Sequence, residues 1–289
     1  MTENAAVLVE GRKLKLTSLD KLLYPSTETT KGEVLSYYAQ VAPVLLPHLA
    51  GRPLTRVRWP HGTGDQSFFE KNLPSGAPSW LPRVKLDDVT YPMVDDLAHL
   101  TYLVNLNSIE LHIPQWRVDA DGERQRPDRL VIDLDPGAPA GLKECATVAL
   151  MVRERLGALG LDLFPVTSGS KGMQLYAALP GDLTSDQVRD LAQQLAQELT
   201  KKQPELIVWK MTKSLRPGKV FLDWSQNVAA KTTICPYSLR GKETPTVAAP
   251  RTWDEVDAGA RGETFEQLMF DEVLDRLDEH GDLVADLLA

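Results

Sequence analysis

The alternation of apolar and polar residues predicts a chain of mixed helices and strands. The capping box Thr30-x-x-Glu33 precedes apolar residues at helical spacing, which predicts a helix that stops near Pro47. Further helices are predicted over residues 142–156, 184–199 and 264–277, and strands over residues 51–59, 130–135, 164–167, 173–179 and 219–223. The order lacks the strict strand–helix alternation of a doubly wound sheet, so the pattern favours an α+β fold.

Composition narrows the class of protein. The 289 residues, 43% hydrophobic and 25% charged, are typical of a soluble globular protein. No apolar run approaches the ~18 residues of a membrane helix, and the N-terminus lacks the pattern of a signal peptide. Cys145 and Cys235 have no metal-type spacing and are expected to be buried free thiols in a reducing cytoplasm. We therefore expect a cytoplasmic protein without membrane contact.

The net charge of −8 argues against a nucleic-acid partner, but the charges are unevenly distributed. Twelve acidic residues lie between Asp254 and Asp286, so the remainder of the chain is slightly basic. The segment from Lys201 to Arg240 contains eight Lys or Arg and only two acidic residues. Because binding depends on the local field, one basic face can still bind phosphate groups. A solvated surface would show the same asymmetry, so the charges alone leave both interpretations open.

Asp133 and Asp135 are the clearest candidates for catalysis. Alternate residues of a strand share a face, so the two backbones lie about 6.5–7 Å apart on one side, with Ile132 and Leu134 on the other. Neighbouring carboxylates repel each other unless a cation lies between them. Mg²⁺ and Mn²⁺ prefer oxygen ligands, and pairs of such ions serve polymerases, nucleases and phosphatases. A solvated turn would also fit Asp-x-Asp, but the preceding apolar run favours a metal site.

Asp223 also ends an apolar run and is the candidate third metal ligand. A helix cap or a paired buried charge is the alternative role for such an aspartate. The cationic repeat Lys210-x-x-Lys213-x-x-Arg216-x-x-Lys219 precedes Asp223. On a helix it would form a solvated stripe, but Pro217-Gly218 favours a loop beside the carboxylates.

Two further stretches contain candidate binding groups. Ser168-Gly-Ser-Lys171-Gly172 lies between two predicted strands and offers free backbone amides, two hydroxyls and an ammonium. These groups suit a triphosphate, although an ordinary hairpin turn has a similar composition. The pair Phe68-Phe69 is expected to have one ring in the core and one exposed ring, which could stack on an unpaired base. His112 fits either a structural or a functional role.

In combination, these motifs resemble the polymerase domain of bacterial ligase D, in the archaeo-eukaryotic primase superfamily. The resemblance covers about residues 16–283. It is carried by Leu23-Tyr-Pro25, Phe68-Phe-Glu-Lys71, Pro114-Gln-Trp-Arg117, Asp133-Leu-Asp-Pro-Gly137, Thr167-Ser-Gly-Ser-Lys-Gly172, Met211-Thr-Lys-Ser-Leu-Arg216, Asp223-Trp-Ser-Gln-Asn227 and Pro236-Tyr-Ser-Leu-Arg240. It implies an α+β primase-polymerase core, with a mixed sheet flanked by helices and with N-terminal DNA-binding elements. We predict one module over residues 1–289, with a DNA-binding part (1–115) and a catalytic core (116–289).

The resemblance also implies an activity. The family adds nucleotides to a primer 3′-hydroxyl, directed by a template, at short gaps or double-strand break ends, favours ribonucleotides and uses two Mn²⁺ or Mg²⁺ ions. The expected partners are nucleoside triphosphates and gapped or broken double-stranded DNA with a 5′-phosphate. An ATP-dependent DNA ligase and the DNA-bridging protein Ku are further expected partners. A nucleoid-associated location in the cytoplasm follows.

Roles for individual residues follow from the same resemblance. The metal ligands would be Asp133, Asp135 and Asp223. The residues around the incoming nucleotide would be Ser168, Lys171, Gln174, Arg216, Gln226, Lys231, Arg240 and His112. Lys21 and Lys31 would bind the 5′-phosphate on the far side of a gap, and Phe68 or Phe69 would stack on the template.

Two positions depart from the family pattern. Gln174 replaces the usual His after the Ser-Gly-Ser-Lys-Gly loop, which is expected to alter nucleotide affinity or sugar preference, and Ser18 replaces an Asn. The sequence contains no ligase or nuclease motifs, so a stand-alone relative and a domain of a longer protein are both open. A primer-independent primase and a DNA-end-binding module without catalysis are the alternative functions. The intact aspartate trio argues against lost catalysis, because buried unpaired acids are costly without metals.

Overall fold

The computed structural model describes residues 4–288. The α-helices in this range are α1 (Lys31–Leu49), α2 (Leu97–Asn105), α3 (Leu142–Gly157), α4 (Ser185–Lys202), α5 (Trp253–Arg261) and α6 (Phe270–His280). The predicted capping box at Thr30 is confirmed: the Thr30 side chain accepts from the Glu33 amide, and α1 continues two residues past Pro47. Between residues 4 and 288, each helix is too short or too polar to cross a bilayer.

Strands occur on both sides of residue 128. Before it lie β1 (Ala5–Val9), β2 (Arg12–Leu16), β3 (Leu22–Tyr24), β4 (Thr29–Thr30), β5 (Thr55–Arg58), β6 (Phe68–Glu70), β7 (Arg83–Leu86), β8 (Val89–Pro92), β9 (Ser108–Ile113), β10 (Trp116–Val118) and β11 (Arg124–Pro127). After it lie β12 (Arg129–Pro136), β13 (Phe164–Thr167), β14 (Met173–Ala178), β15 (Ile207–Val208), β16 (Val220–Asp223), β17 (Thr233–Ile234) and β18 (Ala249–Pro250).

A six-stranded mixed sheet, the main sheet, forms the centre of the fold. Its order is β15–β16–β12–β14–β13–β18, with β15 and β16 parallel and the other pairs antiparallel. Ile132 and Leu134 of β12 belong to an apolar core that α3 and α4 complete. Val131 and Tyr176, on the opposite face, pack into a second core with α1, α2 and β9. Strand alternation therefore directs Asp133 and Asp135 away from α3 and toward the N-terminal elements.

A second sheet, of order β17–β9–β5–β6, lies on that opposite side. Its strand β17 comes from the later half of the chain and pairs with β9. The second core likewise contains residues from before and after position 115, such as Tyr38, Leu111 and Val247. The observed architecture is α+β, as predicted. The two parts share a core, and their functional division at residue 115 stays a prediction.

The predicted helix over residues 264–277 is wrong at its start. The structure instead contains α5, which a Thr252–Glu255 capping box begins and Gly262 ends in the left-handed region, and then α6 from Phe270. The segment between them is not helical, and the Leu268 carbonyl accepts from the Val247 amide. The apolar spacing predicted the wrong start for this helix because a packed loop and a helix can bury residues at the same interval.

The strand predicted over residues 51–59 is shorter in the structure, where β5 spans Thr55–Arg58. Arg56 is fully buried, with its Nη2 2.8 Å from Glu70 Oε2. Arg58 Nε lies 3.1 Å from the other oxygen of Glu70. One carboxylate thus neutralises both guanidinium groups in part, and β5 does not present a free cationic surface.

A close approach between β12 and the start of β14 requires glycine at position 172. A Cβ there would lie 1.9 Å from the Leu134 carbonyl oxygen, whereas a Cβ on Gly157 would meet nothing within 4 Å. We expect Gly172→Ala to lower the free energy of unfolding by about 2 kcal/mol, because the strands must separate. Gly157→Ala should change it by less than about 1 kcal/mol. Urea denaturation measures both, and equal stabilities would contradict the observed strand spacing.

Candidate active site

Strand pairing brings three carboxylates together at one end of the main sheet. In the antiparallel β12–β16 pair, Asp133 lies directly opposite Asp223. Asp135 follows two residues later on the same face of β12. Each residue offers one oxygen atom, and the three atoms lie within 4.8 Å of one another. Residues 90 positions apart in sequence thus form one cluster, which a divalent cation could occupy.

The electrostatics of this cluster fit a cation. Burial raises the pKa of Asp133 well above its ordinary value, and the charges of Asp135 and Asp223 raise it further. Burial and the Asp223 charge also raise the pKa of Asp135, and Arg216, Arg240 and Lys231 partly offset that rise. A divalent ion among these oxygens would favour the ionised carboxylates. The donor set, all carboxylate oxygen, suits a hard metal ion.

The turn after β16 holds Asp223 in place. The Ser225 amide and hydroxyl both donate to Asp223 Oδ1, the amide at 3.0 Å. Gln226 Nε2 donates to Asp223 Oδ2 at 3.2 Å and to Asp133 Oδ2 at 3.4 Å. The Asn227 side chain bonds the Val131 amide at 3.0 Å and the Val131 carbonyl at 2.7 Å, which extends the pairing of β12 beyond the end of β16. Ser225 and Asn227 were not predicted as site residues, although both lie in the string that starts at Asp223.

A cavity of about 260 Å³ opens beside the carboxylates. Its lining includes Asp133, Asp135, Ser168, Ser170, Lys171, Gln174, Gln226, His112, Thr232, Thr233, Ile234 and Arg240. Two predicted nucleotide-binding residues, Lys231 and Arg216, are not among the lining residues. Lys231 Nζ is 3.8 Å from Asp223 Oδ2, and the Arg216 guanidinium lies 3.7 Å from the centroid of the Phe221 ring. The structure thus places most of the predicted residues around one cavity, and their contact with a nucleotide stays a prediction.

The loop between β13 and β14 differs from expectation in its backbone. The Ser168 amide donates to the Gly172 carbonyl, the Gly169 amide to Gln267 Oε1 and the Ser170 amide to Ser168 Oγ. These three amides are therefore not free to bind phosphate, and the prediction of free backbone amides is wrong for residues 168–170 of the loop. The loop can instead contribute the side chains of Ser168, Ser170 and Lys171, which line the cavity.

Gln174 faces the carboxylates. It lies opposite Asp133 in the β12–β14 pair, and a hydrogen bond from its side chain favours the ionised form of Asp133. Its Oε1 accepts from the Tyr176 hydroxyl at 2.9 Å. Both ends of the amide are therefore used within the protein. The effect of Gln174 on nucleotide binding stays a prediction.

Glu110 is a site residue that the sequence did not reveal. Its carboxylate lies 2.7 Å from His112 Nε2 and 3.2 Å from Arg240 Nε, and it accepts from the Gly241 amide at 3.0 Å. Burial opposes its ionisation, but the hydrogen bond with His112 and the charge of Arg240 lower the pKa of Glu110 to about 2. One carboxylate thus orients two side chains that line the cavity. Glu110 precedes His112 by two residues on β9, so strand alternation was the available signal.

The two lysines predicted to bind the 5′-phosphate, Lys21 and Lys31, do not line the cavity. Lys31 is buried and its Nζ donates to the Thr17 carbonyl at 2.6 Å, while Lys21 Nζ donates to the Pro60 carbonyl. Burial and the nearby Lys21 charge lower the pKa of Lys31 to about 8. An anion between the two ammonium groups would relieve their repulsion.

The Phe68 and Phe69 rings are both exposed, at 41% and 59%, so the expectation of one core ring is wrong. The pair lies on β6, which is the edge strand of the second sheet. The Phe69 centroid is 6.3 Å from that of His112, which places this ring beside the cavity.

The fold and the site together define an α+β protein with a candidate divalent-metal centre beside a polar, cation-lined cavity. A sequence profile described as "LigD, primase-polymerase domain" matches residues 30–284. The chain therefore belongs to the family of LigD primase-polymerase domains.

Known relatives agree with this membership. The chain is 50% identical over 279 residues to the "Multifunctional non-homologous end joining protein LigD" of Mycolicibacterium smegmatis, a match that covers 95% of the chain and 36% of the relative. It is 48% identical to the corresponding Mycobacterium tuberculosis protein, of which it covers 37%. The chain thus spans just over a third of these relatives. A solved "Polymerase Domain from Mycobacterium tuberculosis Ligase D in complex with DNA" matches with a TM-score of 0.90, and the match covers 95% of this chain and 98% of that chain.

The raised pKa of Asp133 generates a prediction about the metal-free protein. A carboxyl group whose pKa rises on folding destabilises the fold above its unfolded pKa of about 4, and the effect disappears below it. In a chelating buffer near about pH 8, Asp133→Asn should raise Tm by roughly 2–4 °C for each ~1 kcal/mol of destabilisation removed, which comes first from burial of the charge and then from the neighbouring aspartates. The difference should shrink toward about pH 4.

Asp162→Asn, which changes an exposed carboxylate outside the cavity, is the control. Adding Mn²⁺ or Mg²⁺ should stabilise the wild type more than Asp133→Asn, because the variant lacks one charged ligand. Equal Tm values for wild type and Asp133→Asn in chelator would show that folding does not raise the pKa of Asp133.

Proposed function

We propose that this protein transfers nucleotides from nucleoside triphosphates to the 3′-hydroxyl of a DNA primer, directed by a template, at short gaps or double-strand break ends. The observation that carries the proposal is the cluster of Asp133, Asp135 and Asp223 at the edge of a cavity that also contains Lys171 and Arg240. Membership of the LigD primase-polymerase family supports it. The cationic side chains are in place to oppose the charge of a triphosphate.

The metal centre is proposed to hold two divalent ions, Mn²⁺ or Mg²⁺, between the three aspartates. When bound, such ions make the primer hydroxyl a better nucleophile and neutralise charge on the leaving pyrophosphate. The remaining work of the protein is positioning. The Gln226 amide donates to both Asp133 and Asp223 and so fixes their carboxylates relative to each other, and Glu110 pairs with Arg240 at the cavity. No protein nucleophile is required.

The triphosphate is proposed to lie along the cationic side of the cavity. Ser168 and Lys171 come from the loop between β13 and β14, while Arg240 and Lys231 come from the later part of the chain. His112 and Gln174 border the remaining space, where the sugar would lie, and Arg216 lowers the negative potential at Asp135. A ribonucleotide preference is proposed on the family resemblance, with Gln174 in place of the usual His as the position to test.

The DNA is proposed to contact the N-terminal part. Lys21 and Lys31 would bind a 5′-phosphate at the far side of a gap, since two ammonium groups at close range favour an anion between them. The exposed Phe68 and Phe69 rings would stack on the template. The relatives' names place them in non-homologous end joining. An ATP-dependent DNA ligase and Ku are accordingly proposed as partners, in the cytoplasmic nucleoid.

A gapped, 5′-phosphorylated duplex tests the activity, with either sugar type and either metal. We expect Asp135→Ala to lower the rate of nucleotide addition by at least about 100-fold, because a metal ligand is lost, while DNA affinity changes little. Asp162→Ala, outside the cavity, is the matched control and should extend normally. Wild-type binding without addition would leave a DNA-end-binding module, and addition without a primer would indicate a primase. Normal extension by Asp135→Ala would contradict the catalytic assignment.

The pKa of Lys31, about 8, makes the proposed phosphate site sensitive to pH. The charged form binds phosphate, so the affinity gain from a 5′-phosphate over a 5′-hydroxyl should fall as the pH rises through this value. Between about pH 7 and about pH 9 the gain should fall by up to about tenfold. Lys31→Arg, which stays charged, should remove the pH dependence.

Fluorescence anisotropy on phosphorylated and hydroxyl-ended gaps measures the gain at each pH. The hydroxyl-ended gap is the internal control, because it reports every change in DNA binding that does not involve the phosphate. A gain that is constant over this range would mean that Lys31 does not bind the phosphate.

A further inference from the structure

A second cavity, of about 240 Å³, lies between the β7–β8 and β10–β11 hairpins, and we call it the hairpin groove. The lining residues relevant to its chemistry are Lys71, Asp87, Tyr91, Trp116, Arg124 and Thr232. None of these six has a role in the function proposed above. The groove is large enough for one planar ring, and its lining combines aromatic and cationic side chains.

The Arg124 guanidinium lies over the Trp116 ring in the groove. It is 4.4 Å from the centroid of that ring. The indole Nε1 of Trp116 donates to the Ala229 carbonyl at 2.9 Å, which holds the ring in one orientation, and Trp116 is 5% exposed. A guanidinium stacked on one ring can stack on a second ring with its opposite face. Arg124 is exposed and can therefore accept such a ring from solvent.

The charges of the groove favour an anionic ligand. Lys71 and Arg124 contribute positive charge, against Asp87 as the acidic residue of the lining. Tyr91 lies near enough for the Arg124 charge to act on its hydroxyl. A planar ring joined to a phosphate matches this combination. It is the combination that proteins use for single-stranded nucleic acid, in which bases stack on side chains and cations follow the backbone.

The hairpin groove borders the candidate active site. Thr232 lines both cavities. On the other side, Lys71 follows β6 directly, and β6 presents the exposed rings of Phe68 and Phe69. Phe69 lies beside His112 at the catalytic cavity. A nucleic-acid strand that leaves the catalytic cavity past the exposed rings of β6 therefore reaches the hairpin groove within a few nucleotides.

We propose that the hairpin groove binds one unpaired template nucleotide, the one that follows the nucleotide being copied. Its base stacks on Arg124, and its phosphate lies near Lys71. This inference rests on the proposed function and adds a second template contact to it. In a one-nucleotide gap this template nucleotide is base-paired with the downstream strand and the groove is empty. In a longer gap it is unpaired and occupies the groove, so Arg124 acts as a sensor of gap length.

Affinities for one-nucleotide and three-nucleotide gaps, measured by fluorescence anisotropy, test the proposal. Arg124→Ala should weaken binding to the longer gap by about fivefold or more, the loss expected for one stacked base, and change binding to the shorter gap by less than about twofold. Arg126→Ala is the matched control: it removes the same charge from the same strand, and Arg126 donates instead to the Asp182 carbonyl. Arg126→Ala should affect both gaps equally.

An abasic residue at the same template position completes the test. In the wild type it should weaken binding to the longer gap by about the same factor as Arg124→Ala, and in Arg124→Ala it should cause no further loss. If Arg124→Ala weakens both gaps equally, or if the abasic losses add, the groove assignment is overturned while the proposed function stands. If the wild type binds neither gap, the proposed function fails and this inference fails with it.

Discussion

The antiparallel pairing of β12 with β16 is the constraint on which the candidate active site depends. It places Asp133 opposite Asp223, so that carboxylates far apart in sequence share a small buried volume. Like charges at this range raise one another's pKa and oppose folding unless donors and cations compensate. Gln226 and Lys231 supply part of that compensation, and a divalent ion would supply the rest. The repulsion within the cluster is therefore what makes the site selective for a cation.

The two faces of the main sheet make this cluster possible. Ile132 and Leu134 pack against α3 and α4 in a continuous apolar core. This core fixes β12 from the face opposite the carboxylates. The opposite face is then available for polar groups. Because the backbone positions come from close packing, the carboxylates are held in place before any ligand arrives, which is the preorganisation that catalysis by positioning needs.

The second layer of the fold completes the site from the N-terminal side. Glu110 on β9 contacts His112 and Arg240, and the Tyr24 hydroxyl donates to the Arg240 carbonyl at 2.8 Å. Tyr24 ends β3, which follows Lys21 directly. A short series of contacts thus joins the proposed 5′-phosphate site to the catalytic cavity. The hairpin groove borders the same cavity at Thr232. The proposed 5′-phosphate site, the exposed rings of β6 and the hairpin groove are thus three proposed DNA contacts around one reaction centre.

The sequence alone determined the local features. A period of two placed Asp133 and Asp135 on one face of a strand. The capping boxes Thr30-x-x-Glu33 and Thr184-x-x-Gln187 located the starts of α1 and α4. Both signals depend only on nearby residues. The family resemblance supplied the set of site residues. Only the tertiary structure decided that Asp223 lies opposite Asp133 and that Glu110 forms an ion pair with Arg240. It also decided that Gln267 accepts a hydrogen bond from the Gly169 amide. These contacts join segments far apart in the chain, and they form only when the two apolar cores bring those segments together.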